Sequence, residues 1–176
     1  HNIMYFGTGE KTNNIDRVRG GGVWKSTDHG VTWNLLPSTA GFINVSKILC
    51  DNAGNVYVAT IGSTGLRRST DKGATWTHIS PIGKTTYITD MELSATGRLH
   101  IVCGYRSSAG ESGPMYTDNP STVTSSTWNA PVTTFPAQYN SDIAVAGNIL
   151  YALPANSSWG TPTLYKSIDG GVNWAP

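Results

Sequence analysis

Charged side chains are scarce in this chain. Asp, Glu, Lys and Arg make up 13% of its 176 residues, about half of the roughly 25% usual in soluble domains. The formal net charge is +1, so there is no strong field to hold nucleic acid or an anionic membrane surface. No run of about 20 apolar residues occurs and no signal peptide is recognisable, so neither membrane insertion nor a targeting segment is predicted. The first residue is His1 rather than Met, which points to processing or to a boundary within a longer polypeptide. The histidines His1, His29, His78 and His100 form neither an HxH nor an HxxxH pattern, and neither a metal site nor a cofactor is predicted. Helical periodicity is missing as well. No segment of about 10 to 12 residues keeps an apolar period of 3.6, so helix content should be near nil.

What replaces charge is Gly, Ser, Thr and Asn, the composition of a secreted β-protein with many turns. Apolar residues amount to 38% of the chain, enough for a buried core in what is nominally one domain. The informative feature is an octapeptide that recurs. It reads STDHGVTW over 26–33, STDKGATW over 69–76 and SIDGGVNW over 167–174, fitting S-x-D-x-G-x-T-W with Asn173 replacing Thr in the last copy. Ser26, Ser69 and Ser167 and Asp28, Asp71 and Asp169 can turn side-chain oxygens onto nearby backbone N–H groups. Gly30, Gly73 and Gly171 can take the positive φ of a tight loop. Trp33, Trp76 and Trp174 close the unit and bury it.

This octapeptide resembles the Asp-box, or BNR repeat, of sialidase-like and sortilin-like β-propellers. The resemblance implies a hairpin between the third and fourth strands of each blade, on the face away from the ligand. It speaks for fold more than activity, because the motif occurs in sialidases, xyloglucan-cleaving glycosidases, sortilin-type receptors and bacterial surface modules without catalysis. Nothing here matches the FRIP-like Arg segment of sialidases; the chain reads RVRGGGVWK before Ser26. Nor do Arg17, Arg19, Arg67, Arg68, Arg98 and Arg106 resolve into their arginine triad.

Spacing supports a repeat of about 40 to 50 residues. Ser26 and Ser69 are 43 residues apart and Ser69 and Ser167 are 98 apart, so a worn copy is predicted between them. It is placed in MYTDNPSTVTSSTW, with Tyr116 and Asp118 echoing Tyr165 and Asp169, and Trp128 as the closing Trp. The predicted fold is all-β, a propeller of four-stranded antiparallel blades. A partial blade spans 1–36, followed by blades over 37–80, 81–131 (with the degenerate octapeptide) and 132–176. The turns DNAG and SATG align at the 43-residue shift. That shift sets Cys50 opposite Leu93 and Cys103 opposite Thr60, on different strands of neighbouring blades; buried free thiols are expected, with a disulfide as the alternative. Because four blades of an open fan leave two apolar faces uncovered, the chain is read as part of a larger propeller of six to eight or more blades. The remaining blades of the same chain, or a second copy, would close it.

Opposite the octapeptides the loops are long and unequal: EKTNNIDRVR, YRSSAGESG and PANSSWGTP, against only GSTG in the second blade. Such loops on a rigid scaffold are where binding concentrates. They carry Glu10, Asp16, Arg17, Arg19, Tyr105, Arg106, Glu111 and Trp159, types that stack on sugar rings and hydrogen-bond hydroxyls. Lys47, Asp90 and Asp142 fall near the starts of the innermost strands, at the channel mouth. The leading expectation is a non-catalytic binding or scaffold module of a secreted or cell-surface bacterial protein, recognising glycan or protein on the long-loop face. One alternative is a glycoside hydrolase of the xyloglucanase-like or sialidase-like class, using Asp90 and Asp142 as acid and base. Another is a structural repeat of a filament or adhesin.

Overall fold

A computed structural model describes residues 2–11, 16–62, 64–84, 86–105, 110–136, 140–155 and 162–176. Among the described residues thirteen strands form four consecutive antiparallel sheets, and the one helical element is a 3-10 turn at Pro37–Thr39. The first sheet is β1 (Met4–Gly7), β2 (Val23–Ser26) and β3 (Asn34–Leu35). The second has four strands in order, β4 (Val45–Cys50), β5 (Val56–Thr60), β6 (Leu66–Ser69) and β7 (Thr77–His78). The third contains β8 (Ile88–Leu93), β9 (Leu99–Cys103) and β10 (Gly113–Thr117), and the fourth β11 (Asn140–Ala146), β12 (Ile149–Ala155) and β13 (Tyr165–Ser167). In the third and fourth sheets the outermost strand shrinks to single bridges, Tyr116 with Asn129 and Lys166 with Ala175. This is the meander of consecutive propeller blades.

The octapeptides form the hairpins between third and fourth strands. In the second sheet the Ser69 hydroxyl donates to Asp71 Oδ1 at 2.7 Å and accepts the Gly73 N–H at 2.7 Å. Asp71 also accepts the Thr75 N–H at 2.9 Å and the Thr75 hydroxyl at 2.6 Å. Ser26 and Asp28 make the same set with Gly30 and Thr32, and Ser167 and Asp169 with Gly171 and Asn173. Asn173 substitutes for Thr because its amide N–H2 donates to Asp169 Oδ2 at 2.8 Å, as the Thr hydroxyls do. The loop turns through positive φ at Gly30, Gly73 and Gly171 (86°, 94° and 88°), which a side chain would resist. These donors hold Asp28, Asp71 and Asp169 well below the usual carboxylate range, at about 2. The hydroxyl of Thr32 or Thr75 leads in the first two, and the Asn173 N–H leads in the third.

The worn copy lies one register step from where the sequence puts it. Strand pairing sets Thr117 opposite Leu99, as Ser69 is set opposite Val56 and Ser167 opposite Leu150. Thr117 therefore takes the Ser position and Asn119, not Asp118, the Asp position; the Asn119 N–H donates to Thr117 Oγ1 at 3.2 Å. Tyr116 and Asp118 do not echo Tyr165 and Asp169, because the first pair is two residues apart and the second four. Asp118 instead pairs with Arg98 at 2.6 Å, while Arg98 also donates to the Gly170 carbonyl and lies over the Tyr116 ring. Trp128 sits just before bridging Asn129, as Trp174 sits before Ala175, and its indole N–H donates to the Ile79 carbonyl at 2.7 Å.

Three apolar clusters fill the interfaces between neighbouring sheets. Val23, Phe42, Val56 and Val58 join the first two sheets, and Tyr57, Leu66, Ile79, Ile88, Met91 and Ile101 join the second and third. Val102, Phe135, Ile143, Leu150 and Trp174 join the third and fourth. Each fully buried aliphatic side chain is worth about 1.5–3 kcal/mol relative to exposure, so these interfaces hold the fan together. Polar stitches repeat beside them: Ser46 Oγ donates to the Ile88 carbonyl at 2.6 Å and Thr89 Oγ1 to the Ser141 carbonyl at 2.7 Å. Both cysteines are free; Cys103 is buried, as expected, but Cys50 is exposed because it ends β4 where the chain leaves the interface.

Candidate functional site

The innermost strands β4, β8 and β11 start on the face that carries the long loops. Backbone bonds fix this: Gly20 N–H donates to the Ile43 carbonyl at 2.6 Å, and Gly104 N–H to the Tyr87 carbonyl at 2.9 Å. Lys47, Asp90 and Asp142 occupy one equivalent position, each third in its strand and set opposite Ala59, Val102 and Leu153. Bulges at Val45/Lys47 and Ile88/Asp90 re-aim the side chains of the first two.

Equivalent positions do different work. Asp90 is buried, accepts the Ile143 N–H at 3.1 Å and lies 3.3 Å from Lys47 Nζ. It is a joint between the third and fourth sheets rather than a lining of the channel mouth. Lys47 reaches past it to Glu92 at 2.7 Å. Burial works against the charge on Lys47, but Glu92 and Asp90 outweigh it and raise its pKa. Asp142 is 62% exposed and pairs with Lys11 Nζ at 2.5 Å. That ion pair connects the long loop of the first sheet to the innermost strand of the fourth, 131 residues away. Lys11 carries no motif, and sequence reasoning passed over it.

Glu10 precedes Lys11 and is half-buried, and its Oε2 is enclosed with no hydrogen-bond partner among the described residues. Arg17 Nε, Asn44 Oδ1 and Asn140 Oδ1 are in the same condition. Arg17 lies in the long loop of the first sheet, and Asn44 and Asn140 lie at the starts of β4 and β11. Arg19 is exposed nearby. Unsatisfied buried polar atoms are costly, and these four lie on the long-loop face. Tyr105 is not a free platform: half-buried, it stacks on Tyr87 with centroids 5.7 Å apart. Glu111 is exposed, its flanking backbone held by Lys84 Nζ on the carbonyls of Gly110 at 2.9 Å and Ser112 at 3.1 Å. Arg106 and Trp159 lie outside the described residues.

A hollow of about 850 Å³ lies on the opposite face, an open trough lined by Asn2, Tyr5, Thr27, Cys50, Asp51 and Lys72. None of the enclosed, unpartnered atoms lines it. Among the described residues no group of His, Cys, Asp and Glu is arranged to hold a metal, and no helix is long and apolar enough to cross a membrane.

No family model matches the chain. A xyloglucanase of a Paenibacillus species is 27% identical over 208 residues, covering 98% of this chain and 19% of that protein. A xyloglucanase of Acetivibrio thermocellus is 26% identical over 194 residues, covering 88% of this chain and 22% of that protein. Among solved structures, the xyloglucanase of Xanthomonas campestris superposes with a TM-score of 0.71 at 20% identity, covering 99% of this chain and 28% of that one. The chain thus spans about a fifth of the length of the curated relatives it matches. The structural likeness places the fold among β-propellers.

Proposed function

We propose that this chain is a sector of a xyloglucan-cleaving propeller, with the long-loop face as its glycan face. The observation that carries the reading is the similarity to xyloglucanases along 98% of the chain. It favours the hydrolase alternative over the non-catalytic module that composition and motif brought forward. Inverting hydrolysis of a glycosidic bond uses one carboxylic acid on the leaving oxygen and one carboxylate activating water, roughly 6.5–9.5 Å apart. Asp90, engaged by Ile143 and Lys47, is unsuited to either role. Asp142 near the start of β11 and Glu10 in the long loop of the first sheet are the carboxylates assigned to these roles. Arg17, Arg19 and Lys47 supply donors for sugar hydroxyls, and the Tyr87–Tyr105 stack forms a side wall. A polymeric substrate of this kind and the low-charge composition both fit a secreted or cell-surface location. The partner in this reading is a glycan.

Affinity electrophoresis through gels containing xyloglucan tests the binding half. Retardation by xyloglucan and not by an unrelated polymer is the expected result; mobility unchanged by any β-glucan contradicts it. Turnover is measured in the longest polypeptide that carries this sequence. There Glu10→Gln and Asp142→Asn should lower hydrolysis while retardation persists, and full activity in both variants would overturn the assignment of these carboxylates.

A further inference from the structure

Third and outermost strands are sewn together at equivalent places in the first two sheets. The Leu36 N–H donates to the Val23 carbonyl at 2.9 Å, and the Val23 N–H to Thr39 Oγ1 at 2.8 Å. Likewise the Ile79 N–H donates to the Leu66 carbonyl at 3.0 Å, and the Leu66 N–H to Ser80 Oγ at 2.8 Å. In the third sheet the pattern breaks. Tyr116 and Asn129 exchange both N–H···O bonds at 2.9 Å, so by antiparallel alternation the next bonded pair is Pro114 with Pro131. Neither proline has an N–H to give, and the strands part. The Val132 N–H turns instead to the Val172 carbonyl at 2.8 Å, and Thr133 Oγ1 accepts the Trp174 N–H at 2.8 Å, so the chain crosses here to the fourth sheet.

A pocket of about 240 Å³ opens at this parting, lined by Pro114, Pro131 and Phe135 together with Lys84, Ser112 and Thr134. Its polar groups are incompletely used. Ser112 is 3% exposed, and its hydroxyl has no hydrogen-bond partner among the described residues. Register explains why: Ser112 corresponds to Thr64, whose hydroxyl pairs with Thr60 Oγ1 at 2.7 Å, and Cys103 stands where Thr60 does. A buried hydroxyl left alone in this way needs a reason. The Pro114 carbonyl, on a buried residue, loses the strand donor that Val23 and Leu66 have. Lys84 Nζ gives one N–H to the Gly110 carbonyl and one to that of Ser112, which leaves its third N–H to offer.

We propose that this pocket holds one neutral sugar ring, a pentose or a hexose. Its volume is below the roughly 300–1,000 Å³ of sites for drug-sized ligands, which suits a single ring. Hydroxyls of such a ring both donate, as the Pro114 carbonyl requires, and accept, as the Lys84 N–H requires; Ser112 can do either. Pro114, Pro131 and Phe135 give the ring's C–H face an apolar wall. An anion fits less well. Lys84 is the one charged residue in the lining, its ammonium is already shared between two carbonyl oxygens, and the Pro114 carbonyl would face a carboxylate as a second acceptor. A free monosaccharide and a sugar at the end of a glycan branch share this chemistry. None of the residues assigned to hydrolysis lines the pocket, so it stands whichever polymer is cleaved.

The test is an amide chemical-shift titration of the whole chain with D-xylose, D-glucose, their methyl glycosides and, as the anion, acetate. Saturable shifts at Gly113, Val132 and Thr134 with at least one sugar, and none with acetate, are expected. Binding of the methyl glycoside as well as the sugar identifies a linked branch sugar as the ligand; binding of the free sugar alone identifies a monosaccharide. Pro131→Ile restores the N–H that Ile79 supplies in the second sheet and should close the pocket, with affinity falling more than about tenfold and the melting temperature kept or raised. Ser112→Ala, which leaves the backbone alone, should weaken binding several-fold, up to about tenfold for one hydrogen bond. No saturable shift with any sugar, saturation by acetate at the same amides, or unchanged affinity in both variants would overturn the proposal. Gel retardation by xyloglucan reads the long-loop face instead, so either reading can fail alone.

Discussion

On the hairpin face, Ser26, Ser69 and Ser167 make one set of hydrogen bonds three times over, to the same positions and at 2.7 to 2.9 Å throughout. On the opposite face no two sheets present the same loop, and Lys47, Asp90 and Asp142, equivalent by register, end in three different environments. In each hairpin the Ser hydroxyl and the Asp carboxylate find their partners within the eight residues. The loop face keeps unsatisfied groups and long-range pairs. Repetition marks the hairpin face and variation the loop face, the division expected where a rigid scaffold carries variable loops.

The contrast can be broken most forcefully at the closing tryptophans. Trp174 is 6% exposed, packs edge-on against Phe135 and donates to the Gly171 carbonyl at 2.9 Å. Trp174→Ala should cost about 3–5 kcal/mol, the usual loss for a buried large aromatic, measured by urea denaturation. Trp33 makes the same indole bond, to Gly30, but is only half-buried, on a sheet with an uncovered rear face. Trp33→Ala should cost less than half as much, and equal losses would mean that the first sheet is as well packed as the fourth.

Acid should weaken the repeated face in two stages. His100 is buried beneath the last hairpin, where a Cβ on Gly171 would lie 3.2 Å from its ring. Arg98, Asp118, Tyr116 and Glu92 surround it. Burial first, then the Arg98 charge, lowers its pKa to about 4. The unfolded chain therefore takes up the His100 proton first, and stability falls as pH drops from about 6.5 to about 4, by roughly 3 kcal/mol for a shift of this size. The hairpin carboxylates act in the same direction lower down. Their folded pKa values of about 2 make their contribution complete above about pH 4 and lost as pH falls through 2. Melting curves of His100→Phe should lack the upper stage and keep the lower one.

Ser69→Ala removes a buried hydroxyl and strands the Gly73 N–H, an expected loss of about 1–3 kcal/mol. The smallest effect belongs to the loop face. Lys11→Met breaks the exposed pair with Asp142, which should change stability by less than about 0.5 kcal/mol while altering migration in xyloglucan gels. A large loss of stability from Lys11→Met would show that the loop face is structural as well.

The octapeptides were legible because their chemistry is local: Ser, Asp, Gly and Trp at fixed offsets need no distant partner. The worn copy was legible in place but not in register, since Thr117 and Asn119 keep the mechanics with other side chains while the neighbouring Asp118 imitates the motif. Counting turns at the 43-residue shift located Lys47, Asp90 and Asp142, but burial decides what each does, and burial depends on which sheet packs in front. Asp90 has the fourth sheet ahead of it; Asp142 has the Lys11 side chain. Neither the reach of Lys11 nor the stacking of Tyr105 on Tyr87 has a signature in composition or spacing, because both join residues through tertiary placement alone. The hydroxyl–charge dipeptide of the innermost strands was present to be read, and its recurrence at Ser46, Thr89 and Ser141 was the missed signal.

The most direct test of the account is amide chemical-shift mapping of the chain with a xyloglucan-derived oligosaccharide. Shifts concentrated at Glu10, Lys11, Asn44, Lys47 and Asp142, with the three hairpins unmoved, are predicted. Shifts centred on the hairpin face around Thr27, Cys50 and Lys72, or none at saturating oligosaccharide, would contradict it.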